Sequence, residues 1–262
     1  MKPFRAIPYL PAALRVLALL VVFPAAAQAL VPTTPLGNLN RQSWTMENGL
    51  PQNTIQAMAQ STDGFLWLGT EAGLVRFDGI QFALFDRASK PALPDNDVRC
   101  LLAKPDGSLV VVTADGAVSL NRDSVAPTSE ICSANVLQAR YDDGHVGGWS
   151  AEASRDSVTV TAVVEKMQLR LEAGKQLPGS RIQVLLADHE GALWIGTNRG
   201  LARVVNGKVE KLPVTDPLAT ASVISLLEDS EGNLWVGTET GGLHVLRDQR
   251  FVNIGAPEGL SA

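Results

Sequence analysis

Histidine and cysteine are scarce in this sequence, with three and two copies among 262 residues. His145, His189 and His244 lie far apart and show no metal-ligand spacing such as H-E-x-x-H. No G-x-S-x-G elbow and no G-x-x-x-x-G-K-[ST] loop is present. Asp95-Asn96-Asp97 opens like a calcium loop, but it lacks the glycine and distal glutamate such a loop needs, so it reads as a turn leading into a strand. These absences leave catalytic, metal and cofactor roles unassigned. Basic charge is also in deficit, with a formal net charge of −5. An acidic chain is poorly suited to nucleic acid or to an anionic membrane surface.

Long apolar runs are missing too. The longest opening run, Val16 to Phe23 (VLALLVVF), is too short to cross about 30 Å of hydrocarbon. It follows Lys2, Arg5 and Arg15 and precedes Ala27-Gln28-Ala29, a small-x-small sequence. That order is the pattern of a secretory signal over residues 1–29, and its removal makes the remainder more acidic still. An oxidising compartment permits a Cys100–Cys132 disulfide. Within VRCLLA, Cys100 reads equally well as a small hydrophobe, so both readings stand.

What the sequence does contain is repetition. DGFLWLGTEAGLVRFDG (63–79) returns as EGALWIGTNRGLARVVN (190–206) and EGNLWVGTETGGLHVLRD (231–248), with a weaker copy, DGSLVVVTADGAVSLNRD, at 106–123. The first glycines are Gly64, Gly107, Gly191 and Gly232, separated by one, two and one periods of about 42 residues. The double interval predicts a degenerate copy over 136–175, where Asp143-Gly144 stands near the expected turn and Trp149 is out of register.

Each copy reads as four strands. In the first, Ile55, Ala57 and Ala59 alternate with Gln56, Met58 and Gln60, the period of a strand. Asp63-Gly64, Ala72-Gly73 and Asp78-Gly79 supply the turns. Four antiparallel strands per period of about 42 residues predict an all-β fold, a β-propeller of repeated four-stranded blades. The repeats fall at 51–90, 94–130, 136–175, 178–214 and 219–256, within a domain of residues 30–262. Trp67, Trp194 and Trp235 occupy one repeated strand position and suit the wedge between neighbouring sheets. Gly69, Gly196 and Gly237 suit close sheet approach, and Thr70, Thr197 and Thr238 suit strand ends. Positions that vary on this frame are where recognition is expected. These are Glu71, Asn198-Arg199 and Glu239 in equivalent turns, with Gln52 and Arg181 before the innermost strands.

The pattern L-W-[ILV]-G-T-x-x-G-L resembles the two-component regulator propeller repeat, and Trp44–Gly79 resembles the usual first repeat of such regions. The resemblance covers residues 42–260, weakest over 121–177. It implies a periplasmic sensor region of a hybrid histidine kinase or membrane-bound diguanylate cyclase, whose output domain is absent from this chain. The style of the first repeat leans toward the cyclase. It implies an extracellular ligand, such as an oligosaccharide or small metabolite, and no cofactor. Rival readings are a stand-alone periplasmic interaction scaffold and a propeller carbohydrate-active enzyme. The lone strand Arg41–Met46 reads as unpartnered, because Arg250–Ile254 supplies a fourth strand for the last repeat. The expectation is therefore a truncated ring of about five blades, with an open edge through which copies pair.

Overall fold

A computed structural model describes residues 34–247, apart from 91, 122–123, 131–136, 143–147 and 163–167. The signal segment, His145 and Arg250–Ile254 lie outside the described residues. Among the described residues, twenty strands form five four-stranded antiparallel sheets, one per blade. Blade 1 holds β2 (Ala57–Gln60), β3 (Leu66–Gly69), β4 (Leu74–Phe77) and β5 (Phe82–Phe85). Blade 2 holds β6 (Val98–Ala103), β7 (Leu109–Thr113), β8 (Ala117–Asn121) and β9 (Ser124–Pro127). Blade 3 holds β10 (Gln138–Asp142), β11 (Gly148–Ala153), β12 (Ser157–Ala162) and β13 (Gln168–Glu172). Blade 4 holds β14 (Ile182–Ala187), β15 (Leu193–Thr197), β16 (Gly200–Val205) and β17 (Lys208–Lys211). Blade 5 holds β18 (Val223–Glu228), β19 (Leu234–Thr238) and β20 (Leu243–Arg247).

The fourth strand of blade 5 is β1 (Asn40–Trp44), which pairs antiparallel with β20 from Asn40 opposite Arg247 to Trp44 opposite Leu243. This corrects the expectation that the lone strand has no blade. The N-terminal segment is fastened there by an ion pair between Arg41 and the buried Asp216, and by Arg203, which donates to the Thr34 carbonyl at 2.7 Å. Asp216 is itself held by the amide of Leu218, which donates to its carboxylate at 2.8 Å. Pairing between segments so distant in sequence leaves no local mark, which is why the spacing of repeats did not disclose it.

Apolar clusters fill the seams between adjacent blades. Trp194 sits with Val184, Val223, Val236 and Leu246 between blades 4 and 5. Trp235 sits with Trp44, Ile55 and Leu68 between blades 5 and 1, stacked on Trp44 at 5.7 Å. Trp67 sits with Val98, Leu101 and Leu109 between blades 1 and 2. Between blades 3 and 4, Ala151, Val158, Ile195 and Val204 do the same, and the out-of-register Trp149 joins them, donating to the Gly191 carbonyl at 2.9 Å. The wedge reading of the tryptophans therefore holds at every seam that carries one.

The repeated glycines allow these seams to close. A methyl group on Gly69 would lie 2.8 Å from the Val98 carbonyl oxygen of blade 2, and one on Gly196 would lie 2.7 Å from Val223 Cγ1 of blade 5. A third, on Gly237, would press on Ile55 at 2.9 Å. Backbone bonds cross at the same places, with Ile55 donating to the Thr238 carbonyl at 3.0 Å and Val98 to that of Thr70 at 2.9 Å.

Blade 3 departs from this scheme. Its face toward blade 4 carries Ala151, Val158, Val160, Leu169 and Leu171. Cross-strand partners on its other face are Gln138 with Glu152, Arg140 with Ser150, Thr159 with Arg170 and Thr161 with Gln168. An antiparallel sheet with one apolar and one polar face packs on one side only. Cys100 of β6 is disulfide-bonded rather than a free small hydrophobe. The partner that the sequence offers, Cys132, lies outside the described residues.

Candidate functional site

Antiparallel alternation gives every blade two ends. One, here the upper rim, carries the turn between the second and third strands and the loop leading into the innermost strand. At this end each repeated threonine has a job beyond strand propensity. Its hydroxyl donates to the carbonyl that closes the turn: Thr70 to Gly73, Thr197 to Gly200 and Thr238 to Gly242 at 2.8 Å, and Thr113 to Gly116 at 2.9 Å. The signal for this was in view, since T-x-x-G recurs at Thr70, Thr113 and Thr197 and lengthens by one at Thr238.

All six variable positions noted in the sequence lie on this upper rim, and the structure brings some together. The Asn198 side-chain carbonyl accepts from the amides of Ser180 and Arg181, both at 2.9 Å, so Asn198 clamps the loop that carries Arg181. Gln52 accepts from the Thr54 amide at 3.3 Å, and the Thr54 hydroxyl donates to the Glu239 carbonyl at 2.8 Å. Blade 1 and blade 5 positions thereby meet. Glu71, Arg181, Arg199 and Glu239 are exposed. Closer to the inner strands, Gln56 donates to Asp97 at 2.8 Å and Ser222 to Gln183 at 3.1 Å, linking blade 1 to 2 and blade 5 to 4. The Gln56 amide, followed by Arg99, holds the Asp97 carboxyl below its ordinary value. Asp97 is also the last residue of the loop at Asp95, whose carboxylate accepts the Asp97 amide at 2.8 Å, so that loop is a turn. Among the described residues, no group of three or more histidine, cysteine, aspartate or glutamate side chains is arranged to hold a metal ion.

The opposite end, the lower rim, carries the turns between first and second strands. Here lies a cleft of about 380 Å³ between blades 4 and 5, and none of the six variable positions lines it. Its walls come from the turn Asp188-His189-Glu190, from Trp194 and Arg203, from Glu228 at the end of β18, and from the turn Glu231–Asn233. Thr34 and Leu39 of the N-terminal segment close one side.

Two repeated aspartates build this end. One Asp188 oxygen accepts from the amides of Glu190 at 3.1 Å and Ala192 at 2.7 Å, while the other accepts the Trp194 indole N–H at 2.7 Å. Asp229 repeats the arrangement with Glu231 at 3.0 Å, Asn233 at 2.8 Å and Trp235 at 2.7 Å. In blade 1, the Ser61 hydroxyl takes the Trp67 indole at 2.9 Å. The aspartate six residues before the tryptophan was legible in both copies, as D-x-x-G-x-L-W.

The Arg203 guanidinium, nearly fully buried, lies over the Trp194 ring at 5.4 Å and donates to Glu210 at 2.6 Å. Opposite it, His189 Nδ1 meets Glu228 Oε1, and the His189 amide donates to Glu228 Oε2 at 2.8 Å. The hydrogen bond to Glu228 holds the imidazole pKa above its ordinary 6.5, against desolvation, with Glu228, Glu190 and Asp188 adding to the rise by their charge. The cleft thus presents carboxylates and an imidazole around an aromatic–guanidinium floor. That combination suits hydrogen bonding to a polar small molecule.

Residues 49–72, 176–199 and 217–240 match the family model of the two component regulator propeller. These three segments are two-component regulator propeller repeats. They supply the upper-rim turns of blades 1, 4 and 5, including Glu71, Asn198, Arg199 and Glu239, and both turns that frame the cleft. The sequence matches no curated protein. Among solved structures, the chain is similar to the extracellular domain of a hybrid two component system from B. thetaiotaomicron, with 16% identity and a TM-score of 0.43. That match covers 79% of this chain but only 42% of the other, so the chain spans less than half of that relative's length. It is also similar to a family AA12 carbohydrate-active enzyme of Trichoderma reesei, with 10% identity, a TM-score of 0.49, and coverage of 83% of this chain and 97% of that one. A virginiamycin B lyase from Staphylococcus aureus shares 13% identity with a TM-score of 0.29, over 80% of this chain and 74% of the other. Among the described residues, no helix is long and apolar enough to cross a membrane.

Proposed function

We propose that this chain is a periplasmic ligand-binding propeller of a bacterial signal-transduction receptor, without catalysis of its own. In this reading occupancy is relayed to a histidine kinase or diguanylate cyclase output carried elsewhere in the receptor. The observation that carries it is the cleft between blades 4 and 5, because both turns framing it belong to matched propeller repeats. Its lining of Asp188, Glu190, Glu228, Glu231 and His189 favours a polar ligand rich in hydrogen-bond donors, such as an oligosaccharide or small metabolite. Signalling requires that the ligand bind one arrangement of the blades better than another, since equal affinity for both shifts nothing.

A thermal-shift screen of oligosaccharides and small metabolites tests this, because a ligand that binds only the folded state raises its apparent stability. A shift that disappears in Glu190→Gln and Glu231→Gln supports binding in the cleft. A shift that instead disappears in Glu71→Gln or Arg199→Ala moves the site to the upper rim. Turnover of a ligand, rather than saturable binding, would favour the carbohydrate-active enzyme.

A further inference from the structure

We propose that His189 and Glu228 form an acid-strengthened latch across the seam between blades 4 and 5, holding the mouth of the cleft harder in mildly acidic than in alkaline surroundings. The two residues lie 39 positions apart, about one repeat, so each belongs to a different blade. His189 sits in the lower-rim turn of blade 4, and Glu228 ends the innermost strand of blade 5. The half-exposed imidazole lies beside Gly232, where a methyl group would come within 2.9 Å of its Cε1.

The next seam provides an internal comparison. There the Ser230 amide donates to the Gln60 side-chain carbonyl at 2.8 Å, and Gln60 ends the innermost strand of blade 1 as Glu228 ends that of blade 5. The backbone half of the latch is thus a shared blade-to-blade bond. At the cleft it has gained a second, titratable half, with glutamate for glutamine and histidine for serine.

Groups facing the imidazole reinforce the charged form. Glu228 faces it from β18, Asp188 and Glu190 from its own turn, and Glu231 lines the same cleft from the neighbouring turn. The nearby cation, Arg203, is already engaged by Glu210 and the Thr34 carbonyl. Protonated His189 therefore pairs with Glu228 as an ion pair. A group whose pKa is raised by folding stabilises fully below its unfolded value and loses that contribution as pH climbs through the folded value. Neutral His189 keeps a hydrogen bond to Glu228 but forfeits the ionic part.

The test compares the wild type with Glu228→Gln, which converts this seam to the chemistry of the next one and keeps the backbone bond. By NMR, the His189 titration midpoint in the variant falls back toward the ordinary value. At about pH 5.5, exchange of the His189 amide speeds up about two- to five-fold in the variant, the range a half-exposed ion pair commands. At about pH 8.5 the difference between the two proteins is smaller, because only the exchange of a carboxylate for an amide acceptor remains. An unchanged titration midpoint, or an equal exchange difference at both pH values, would overturn the latch. Neither measurement uses a ligand, so failure of the binding screen leaves this outcome separate.

Discussion

The Trp194 indole N–H donates to Asp188 at 2.7 Å, and the same carboxylate gathers the turn amides of Glu190 and Ala192. One side chain therefore sets both the position of the wedge tryptophan and the shape of the cleft wall. Asp188→Ala leaves a nearly buried indole donor unpaired and the turn unclamped, with an expected loss of about 1–3 kcal/mol in chemical denaturation. Asp188→Asn, which keeps an acceptor, is expected to lose less. If both variants unfold at the wild-type midpoint, the aspartate is not what organises the turn.

Gly237→Ala directs a methyl group at Ile55 across the seam between blades 5 and 1, and at Ser225 on the neighbouring strand of its own blade. Overpacking of this kind costs about 1–3 kcal/mol. A lowered melting temperature, with amide exchange rising at Ile55, is the expected outcome. Gly37→Ala, where the nearest atom lies 3.5 Å away, serves as the comparison and is expected to be far milder.

Removing Arg41 as Arg41→Ala strips the buried Asp216 carboxylate of its ionic partner. Breaking such a pair costs about 3–5 kcal/mol when both groups are buried. Arg41 is partly exposed, so the expected loss is about 2 kcal/mol. Hydrogen exchange checks the location of the damage: protection is expected to fall first over Asn40–Trp44.

His244 titrates in the opposite sense to His189. Burial, together with the charge of Arg41, holds its pKa below the ordinary 6.5, so the folded protein favours the neutral ring. Its contribution is present above the unfolded value and is lost as pH falls below it. In His244→Asn, that part of the acid destabilisation is expected to vanish, so the stability of variant and wild type converge as pH drops. A constant difference from neutral to mildly acidic pH would show that His244 does not titrate with unfolding.

Much of the frame could be read from local chemistry. Asp63-Gly64 and its counterparts are turns, Trp67, Trp194 and Trp235 fill seams, and Gly69 and Gly196 admit the neighbouring sheet. Each of these roles depends on a residue and its immediate strand, so repetition exposes it. The polar face of blade 3 was also written in the alternation of Gln138, Arg140, Ser150 and Glu152, but it has meaning only once a neighbour is in place. Two features had no local signature. The partner of Asn40–Trp44 is chosen by which sheet lacks a strand, and the meeting of His189 with Glu228 depends on how adjacent blades are rotated. The upper-rim positions singled out for variability are partly structural, since Asn198 spends its carbonyl on the loop at Ser180 and Arg181.

The antiparallel union of β1 with β20 has a kinetic consequence. Blades 1 to 4 are each built from one continuous stretch of chain, so each becomes able to form as it is synthesised. Blade 5 must wait, because its outer strand precedes blades 1 to 4 in the chain and its inner strands follow them. Closing so large a loop comes at an entropic cost before any contact rewards it, and non-local pairing of this kind slows folding. Until that moment Trp44 and Trp235 remain apart, so among the described strands β1 gains its partner only after four blades of chain have followed it.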